Sequence, residues 1–282
     1  MVFERGAFWQ DPMTAFKLMR RGIASNFSQH QLENYRDLLF VLFQKEFKVR
    51  YKGKFLGYLW SIASPLSFAL VYYIAFSGIM RVAVEGYPLI LVSGLFPWQW
   101  FQNSVGSAPN LFVGNASLIK KLNFPRNILS LSTILNHMVH FLLSLPVILL
   151  FMVIYGKSPT LAWVYGLPLM MAIQLCTVYG LSLVLATLNL FLRDIERLTQ
   201  IVMTFVFYFT PIIFTADMIP EQYQPLIPAN PAAPLMINWR NLFLHGYLDG
   251  HYLLISAGYA VAFLALGTVV YRKLSWKFAE VL

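Results

Sequence analysis

Apolar residues run in six long stretches along this chain, and the charged residues collect between them. A bilayer core about 30 Å thick takes about 20 apolar residues per helix. The pattern therefore predicts spans at residues 57–80, 89–113, 128–154, 161–190, 198–215 and 252–271. Ahead of the first span the period changes. Leu32, Tyr35, Leu39, Leu42, Phe43 and Phe47 recur at spacings of three and four, opposite Arg36, Lys45 and Lys48. Ser28 with Gln31 makes a capping-box start for this stripe. Such a helix is too charged to cross lipid. It is expected to lie in the inner interface, with Lys48, Arg50, Lys52 and Lys54 reaching headgroups, or to dock on a cytoplasmic partner, and one helix can do both. The chain thus divides into a cytoplasmic lead at 1–27, an amphipathic helix and basic linker at 28–54, and a six-span domain at 55–282. The fold class is an all-α polytopic membrane protein.

The segments between spans differ in kind. Span two carries Ser93, Gln99, Gln102, Asn103, Ser104, Ser107 and Asn110, interrupted by Pro97. Unpaired polar groups are costly in hydrocarbon, so this helix should face other helices or a wet pathway. The loop at 115–127 contains Leu118 to Asn127 (LIKKLNFPRN), which is short, basic and broken by Pro125, and suits a projecting helical knob. Its counterpart, Arg193 to Arg197, is smaller and mixed in sign. The segment 216–250 holds Pro220, Pro225, Pro228, Pro231 and Pro234 between apolar pieces too short to span. Short re-entrant or interface-lying helices fit it better than an ordinary loop.

Composition agrees with this pattern. The chain is 58% hydrophobic and 12% charged, with a mean hydropathy of +0.61. A soluble domain could not cover that much apolar surface. The cations fix the expected orientation. Eighteen of the 21 Lys and Arg fall before span one, in the second-to-third and fourth-to-fifth connections, and after span six; only Arg81, Lys157 and Arg240 lie on the other side. Both termini are then cytoplasmic. The net charge of +9 faces anionic headgroups rather than nucleic acid. Cys176 is the single cysteine and lies within span four, so no disulfide forms within one chain. Residues 1–26 lack the apolar core of a cleavable signal.

Chemistry is sparse. No GxxxxGK[ST], HExxH, GxSxG or CxxC pattern occurs, so the chain does not itself cradle ATP. All twelve acids map to loops, tails or span ends, which weakens a proton- or sodium-coupled carrier. His137 and His140, with Asn136, sit one turn apart in span three; they could bind a metal or relay protons, or only hydrogen-bond between helices. Aromatics make up 16% of the chain. They can anchor the interface, or stack on sugars without adding charge that would trap a sliding polymer.

Several segments in order resemble one family. Arg36-Asp37-Leu38-Leu39, Lys45 to Gly53 (KEFKVRYKG), Leu56-Gly57-Tyr58-Leu59-Trp60 and Pro65-Leu66 resemble the opening of polysaccharide ABC exporter permeases. So do Gly94-Leu95-Phe96-Pro97-Trp98, Leu118-Ile119-Lys120-Lys121 with Phe124-Pro125-Arg126, Arg193-Asp194, Pro211-Ile212 and Asn230-Pro231. That family exports O-antigen, group-two capsule and teichoic acid. The resemblance implies a homodimer in the cytoplasmic membrane, two separate ABC nucleotide-binding subunits that hold ATP and Mg, and a lipid-linked polysaccharide substrate. This chain itself would carry no cofactor and no catalytic residue. ATPase coupling would fall to Leu118, Lys120, Lys121, Phe124, Pro125, Arg126, Arg36, Glu46 and Arg50. The channel would be lined by Trp60, Tyr72, Tyr73, Phe76, Phe205, Tyr208 and Phe209, and the outer gate would use Pro220, Asn230, Pro231 and Trp239. Competing readings are a secondary carrier using His137 and His140, a membrane glycosyltransferase using Glu85, Asp217 and Glu221, and an ABC permease for small drugs.

Overall fold

The computed structural model describes residues 29–51, 60–79, 86–122 and 124–282. The expected lead at 1–27, Ser28 of the capping box, Lys52, Lys54, the first residues of span one, Arg81 and Glu85 lie outside the described residues, as do the side chains of Arg50 and Phe76. Among the described residues all regular structure is helical. The helices are α1 (Gln29–Tyr51), α2 (Trp60–Tyr73), α3 (Tyr87–Ser107), α4 (Asn110–Gly114), α5 (Ala116–Lys121), α6 (Asn127–Ile154), α7 (Ala162–Phe191), α8 (Ile195–Phe209), α9 (Ala233–His245), α10 (Gly250–Leu274) and α11 (Phe278–Val281). α2 continues as a wider π-helical segment, Ile74–Ile79, and 3-10 turns fill Ala216–Met218, Glu221–Ala229 and Ser275–Lys277.

α3 is the hub of the bundle, packed by α2, α6, α7, α8 and α9. Its residues from Leu91 to Trp98 are all buried, so almost no face of this turn-by-turn run meets the outside. That helps a polar span survive, because several of its polar groups find partners on neighbouring helices or one turn back. Ser93 Oγ donates to the Ile90 carbonyl and Ser107 Oγ to that of Asn103. Gln174 on α7 donates to the Pro97 carbonyl at 3.0 Å and accepts from the Trp239 indole at 2.6 Å, joining α3, α7 and α9. The helix runs through Pro97 rather than stopping there, then breaks at Ala108–Pro109.

Among the described residues, three helical stretches are long and apolar enough to cross a bilayer alone: Asn127–Ile154, Ala162–Phe191 and Gly250–Lys277. These match expected spans three, four and six. The fifth ends early. α8 has 15 residues, about 22 Å at 1.5 Å per residue, and the chain from Thr210 to Thr215 is not helical. Pro211 withholds a donor there, and its ring excludes the preceding residue from helical geometry.

The two ends of the bundle differ. At one, the α1 end, lie α4, α5, the start of α6, the ends of α7 and α10, and α11. At the other, the α9 end, lie the start of α3, the α6–α7 connection, the chain after α8, and the start of α10. Lys45, Lys120, Lys121, Arg126, Arg193, Arg197, Arg272, Lys273 and Lys277 belong to the first end. Lys157 and Arg240 belong to the second.

Candidate functional site

The α1 end is built around a small apolar core of its own. Leu38 and Leu42 of α1 meet Ala108, Leu111 and Phe112, Ile119 of the knob, Ile128 and Leu129 of α6, Ala186 and Leu190 of α7, and Phe278 of the tail. Of the expected stripe, Tyr35, Leu39 and Leu42 pack on this core and Phe43 is half-buried, while the side chains of Leu32 and Phe47 lie outside the described residues; Leu38, which was not in that stripe, joins the seam, and Phe40 on the far side is 56% exposed. Polar contacts set the register. Thr133 donates to Glu46 at 2.6 Å, and Lys45 donates to the Asn115 side chain at 3.3 Å. The α1 helix therefore rests on α6 and on the first residue of the knob at once.

Asn127 opens α6 and ties three helices together. Its backbone N–H donates to the Tyr271 hydroxyl at 3.2 Å, and its amide donates to Tyr179 at 3.0 Å. Its side chain also bonds Tyr35. Arg126, one residue earlier, donates to the Ser275 carbonyl and lies 5.5 Å over the Phe278 ring. Phe278 in turn packs on Phe112 at 5.0 Å. The knob is clamped between the amphipathic helix and the tail.

Among the expected coupling residues, Leu118 and Phe124 pack on this core, while Glu46 and Arg126 turn inward to Thr133 and Ser275. Lys120, Lys121, Pro125 and Arg36 are exposed on the outer surface of the same end. Arg36 reaches only the adjacent Asp37, at 3.5 Å. The clamp residues Asn115, Asn127, Tyr271 and Phe278 were not singled out from the sequence. Both asparagines bracket the basic knob, which is the one signal that pointed to them.

The expected channel aromatics lie on α2 and α8. Trp60, Tyr73, Phe205, Tyr208 and Phe209 are exposed on the single chain, and Tyr72 packs on Phe207 at 5.8 Å. Polar side chains are exposed close by: Gln102 and Asn103 on α3, Gln200 and Thr204 on α8. Gln102, Asn103 and Gln200 belong to the halves of α3 and α8 nearer the α1 end, Thr204 lies one turn further along α8, and the two helices touch. Exposed amides at the depth of a span need water or another polar surface, which lipid does not supply. Among the rival candidates, His140 meets Asn136 within α6 at 3.0 Å, and His137 faces Ser107 of α3 at 3.5 Å.

At the α9 end the unwound stretch is held from α9 and α3. Arg240 donates to the carbonyls of Ile212 at 2.6 Å and Phe214 at 2.8 Å, and the Tyr87 hydroxyl donates to Ile213 at 2.7 Å. Asn230 donates to the Thr210 hydroxyl at 2.9 Å and accepts from the Ala232 N–H. Of the expected gate residues, Pro220 is exposed, Asn230 and Pro231 are half-buried, and Trp239 is fully buried, stacked on Phe243 at 5.5 Å. Beside this network lies a cavity of about 730 Å³, lined by Tyr155, Lys157, Asp217, Arg240, Asn241 and Tyr252 among others.

An apolar helical bundle with a basic, clamped knob at one end and short buried helices at the other has known relatives. Residues 37–244 match the ABC-2 type transporter family. The chain is 43% identical over 246 residues to an O-antigen export system permease protein RfbA of Klebsiella pneumoniae, covering 87% of this chain and 95% of that one. It is 32% identical to the O-antigen export system permease protein RfbA of Myxococcus xanthus, covering 89% and 97%. It is 26% identical to the polysialic acid transport protein KpsM of Escherichia coli, covering 82% and 87%. The match runs from the amphipathic helix through α9, the same stretch that carries the knob, the open aromatic face and the Arg240 anchor: this chain belongs to the ABC-2 type transporter family, as an integral membrane transporter subunit rather than an enzyme.

Proposed function

We propose that this chain is the permease of an ATP-driven exporter that moves a lipid-linked polysaccharide, O-antigen, across the cytoplasmic membrane. It spans that membrane six times with both termini in the cytoplasm, works as a homodimer, and seats two copies of a separate nucleotide-binding subunit on its α1 end. The near-full-length likeness to O-antigen export permeases carries this reading. Three local features support it. Lys120 and Lys121, with Pro125, are exposed on a basic knob whose base is clamped to α1, α6 and the tail, and Arg36 is exposed on α1 at the same end. A push there would be passed to α6 and α7 rather than absorbed locally. Gln102, Asn103, Gln200 and Thr204, beside exposed rings of α2 and α8, suit a wet seam between two copies. Energetically the permease needs two packings that the ATPase biases differently.

The test reverses the charge of the patch without touching the clamp. Lys120→Glu with Lys121→Glu should leave membrane insertion intact and lower both surface polysaccharide and permease-stimulated ATP hydrolysis by about tenfold or more, since like charges set against each other at an interface cost over 1.4 kcal/mol. Full export by this variant would remove the knob from the coupling path. Surface polysaccharide that persists after deletion of the gene would end the transport reading itself.

A further inference from the structure

The cavity at the α9 end lies apart from the knob and its clamp. At about 730 Å³ it falls within the range of about 300–1,000 Å³ typical of small-molecule sites. We propose that this cavity is a saccharide-binding site, taking uncharged pyranose units of the polymer at the face where they leave the exporter. The assignment rests on the polysaccharide-export reading and adds a place to it.

The lining has the chemistry of a sugar site. Tyr155, Tyr247 and Tyr252 contribute three rings, and flat rings stack on the C–H faces of pyranoses. Asn241 offers an acceptor and two donors to neighbouring hydroxyls, Gln224 offers its amide oxygen while its nitrogen already donates to the Ile219 carbonyl at 3.1 Å, and Asp217 offers two acceptor oxygens. Charge is balanced. Lys157 and Arg240 are matched in number by Asp217 and Asp249, and burial, with Lys157 close by, lowers His245 below its ordinary value against the pull of Asp217. Two of those charges are already engaged: Lys157 donates to the last turn of α9 at Leu244, and Asp249 caps α10 by accepting from Tyr252 N–H. Arg240 spends its two terminal nitrogens on Ile212 and Phe214, and its Nε–H is buried with no hydrogen-bond partner. An anionic headgroup would meet Asp217 and Asp249 as well as the cations, and gains little here.

The test uses the intact exporter in its host membrane. p-Azidophenylalanine replaces Tyr247, which is 50% exposed on a loop, or Tyr165, exposed on the outside of α7, as a control. After photolysis during export, adducts on the permease are stained for carbohydrate. Carbohydrate adducts at 247 should exceed those at 165 by about tenfold, the enrichment that 1.4 kcal/mol of local binding gives. Adding Asn241→Ala should lower them about fivefold, the effect of one lost hydrogen bond of about 1 kcal/mol. Normal export with equal labelling at 247 and 165 overturns the site and leaves the transport reading intact. Adducts that carry phospholipid and no carbohydrate also overturn it, in favour of a lipid pocket. On the unsubstituted exporter in nanodiscs, saturation transfer to methyl mannoside, methyl galactoside or methyl N-acetylglucosaminide reports the same site. Transfer to none of these sugars, or transfer unchanged by Asn241→Ala, overturns the assignment without any change at Tyr247.

Discussion

Arg240 is a buried cation whose hydrogen bonds go to carbonyls rather than to a carboxylate. It is 5% exposed, and its fork closes on the carbonyls of Ile212 and Phe214, in the non-helical stretch that follows α8. Gly94 makes room for it, since a β-carbon there would stand 2.9 Å from Arg240 Nη2 and 3.1 Å from the Ile212 carbonyl. The anchor is thus a three-part joint of α3, α9 and the chain after α8. Arg240→Met leaves two buried carbonyls unsatisfied, at about 1–3 kcal/mol each. The apparent midpoint of thermal unfolding in detergent should fall by several degrees, and an unchanged midpoint would mean that water replaces the guanidinium without loss. Gly94→Ala should show a smaller fall by displacing the fork. From the sequence Arg240 is only one of three cations expected on the outer side, and Gly94 only the first residue of Gly94-Leu95-Phe96-Pro97-Trp98. Their partners sit over 20 residues away in a stretch that reads as uninterrupted span, and only the fold reveals that those carbonyls need a donor.

At the scale of elements, the pattern of apolar runs was a sound guide wherever a helix meets lipid along much of its length. α6, α7 and α10 match their expected bounds within two residues at nearly every end, α10 running three further at its C-terminus. It was a poor guide where tertiary contacts override hydropathy. α8 stops at Phe209 although Ile212, Ile213 and Phe214 follow, because Pro211 ends the ladder and α9 supplies substitute partners. The pairing of α7 with α10, the most extensive in the fold, left no trace in the apolar pattern. It depends on Gly180 and Gly267, which lie 87 positions apart: a β-carbon on Gly180 would strike the Phe263 carbonyl, and one on Gly267 would strike the Gly180 backbone. Membrane helices, lacking a hydrophobic force between them, gain from such close backbone approach. Gly180→Val must push the two axes apart, at about 1–3 kcal/mol for an overpacked site. Size-exclusion chromatography after graded heating should show the folded peak lost at a lower temperature than for the parent. A Gly258→Val control, at a glycine with open space around it, should elute as the parent does. Equal behaviour of the two variants would mean that the seam has room to relax.

For the molecule as a whole, charge and shape divide the same way. The end bearing the knob, α1 and the tail gathers ten of the cations whose side chains are described, Arg36 among them, and the end bearing α9 and the cavity has two. Each Lys or Arg near an anionic leaflet gains about 1 kcal/mol, so the preference for one orientation is several-fold larger than any single contact discussed above. Cys176 is the chain's one cysteine, and it is only half-buried within α7, so Cys176→Ser is a mild change that clears the way for site-directed labelling. Single cysteines at Lys121 and Arg193, exposed at the α1 end, and at Ser158 and Gln222, exposed at the α9 end, then report the orientation directly. An impermeant maleimide should label Ser158→Cys and Gln222→Cys in intact spheroplasts, and Lys121→Cys and Arg193→Cys only after the membrane is opened. Adding the partner ATPase should shield the cysteine at 121 and leave that at 222 unchanged, because a subunit seated on the knob covers one end alone. Labelling at 121 from outside would place the basic patch beyond the reach of any cytoplasmic ATPase, and the clamp that joins knob, α1 and tail would then need a different purpose.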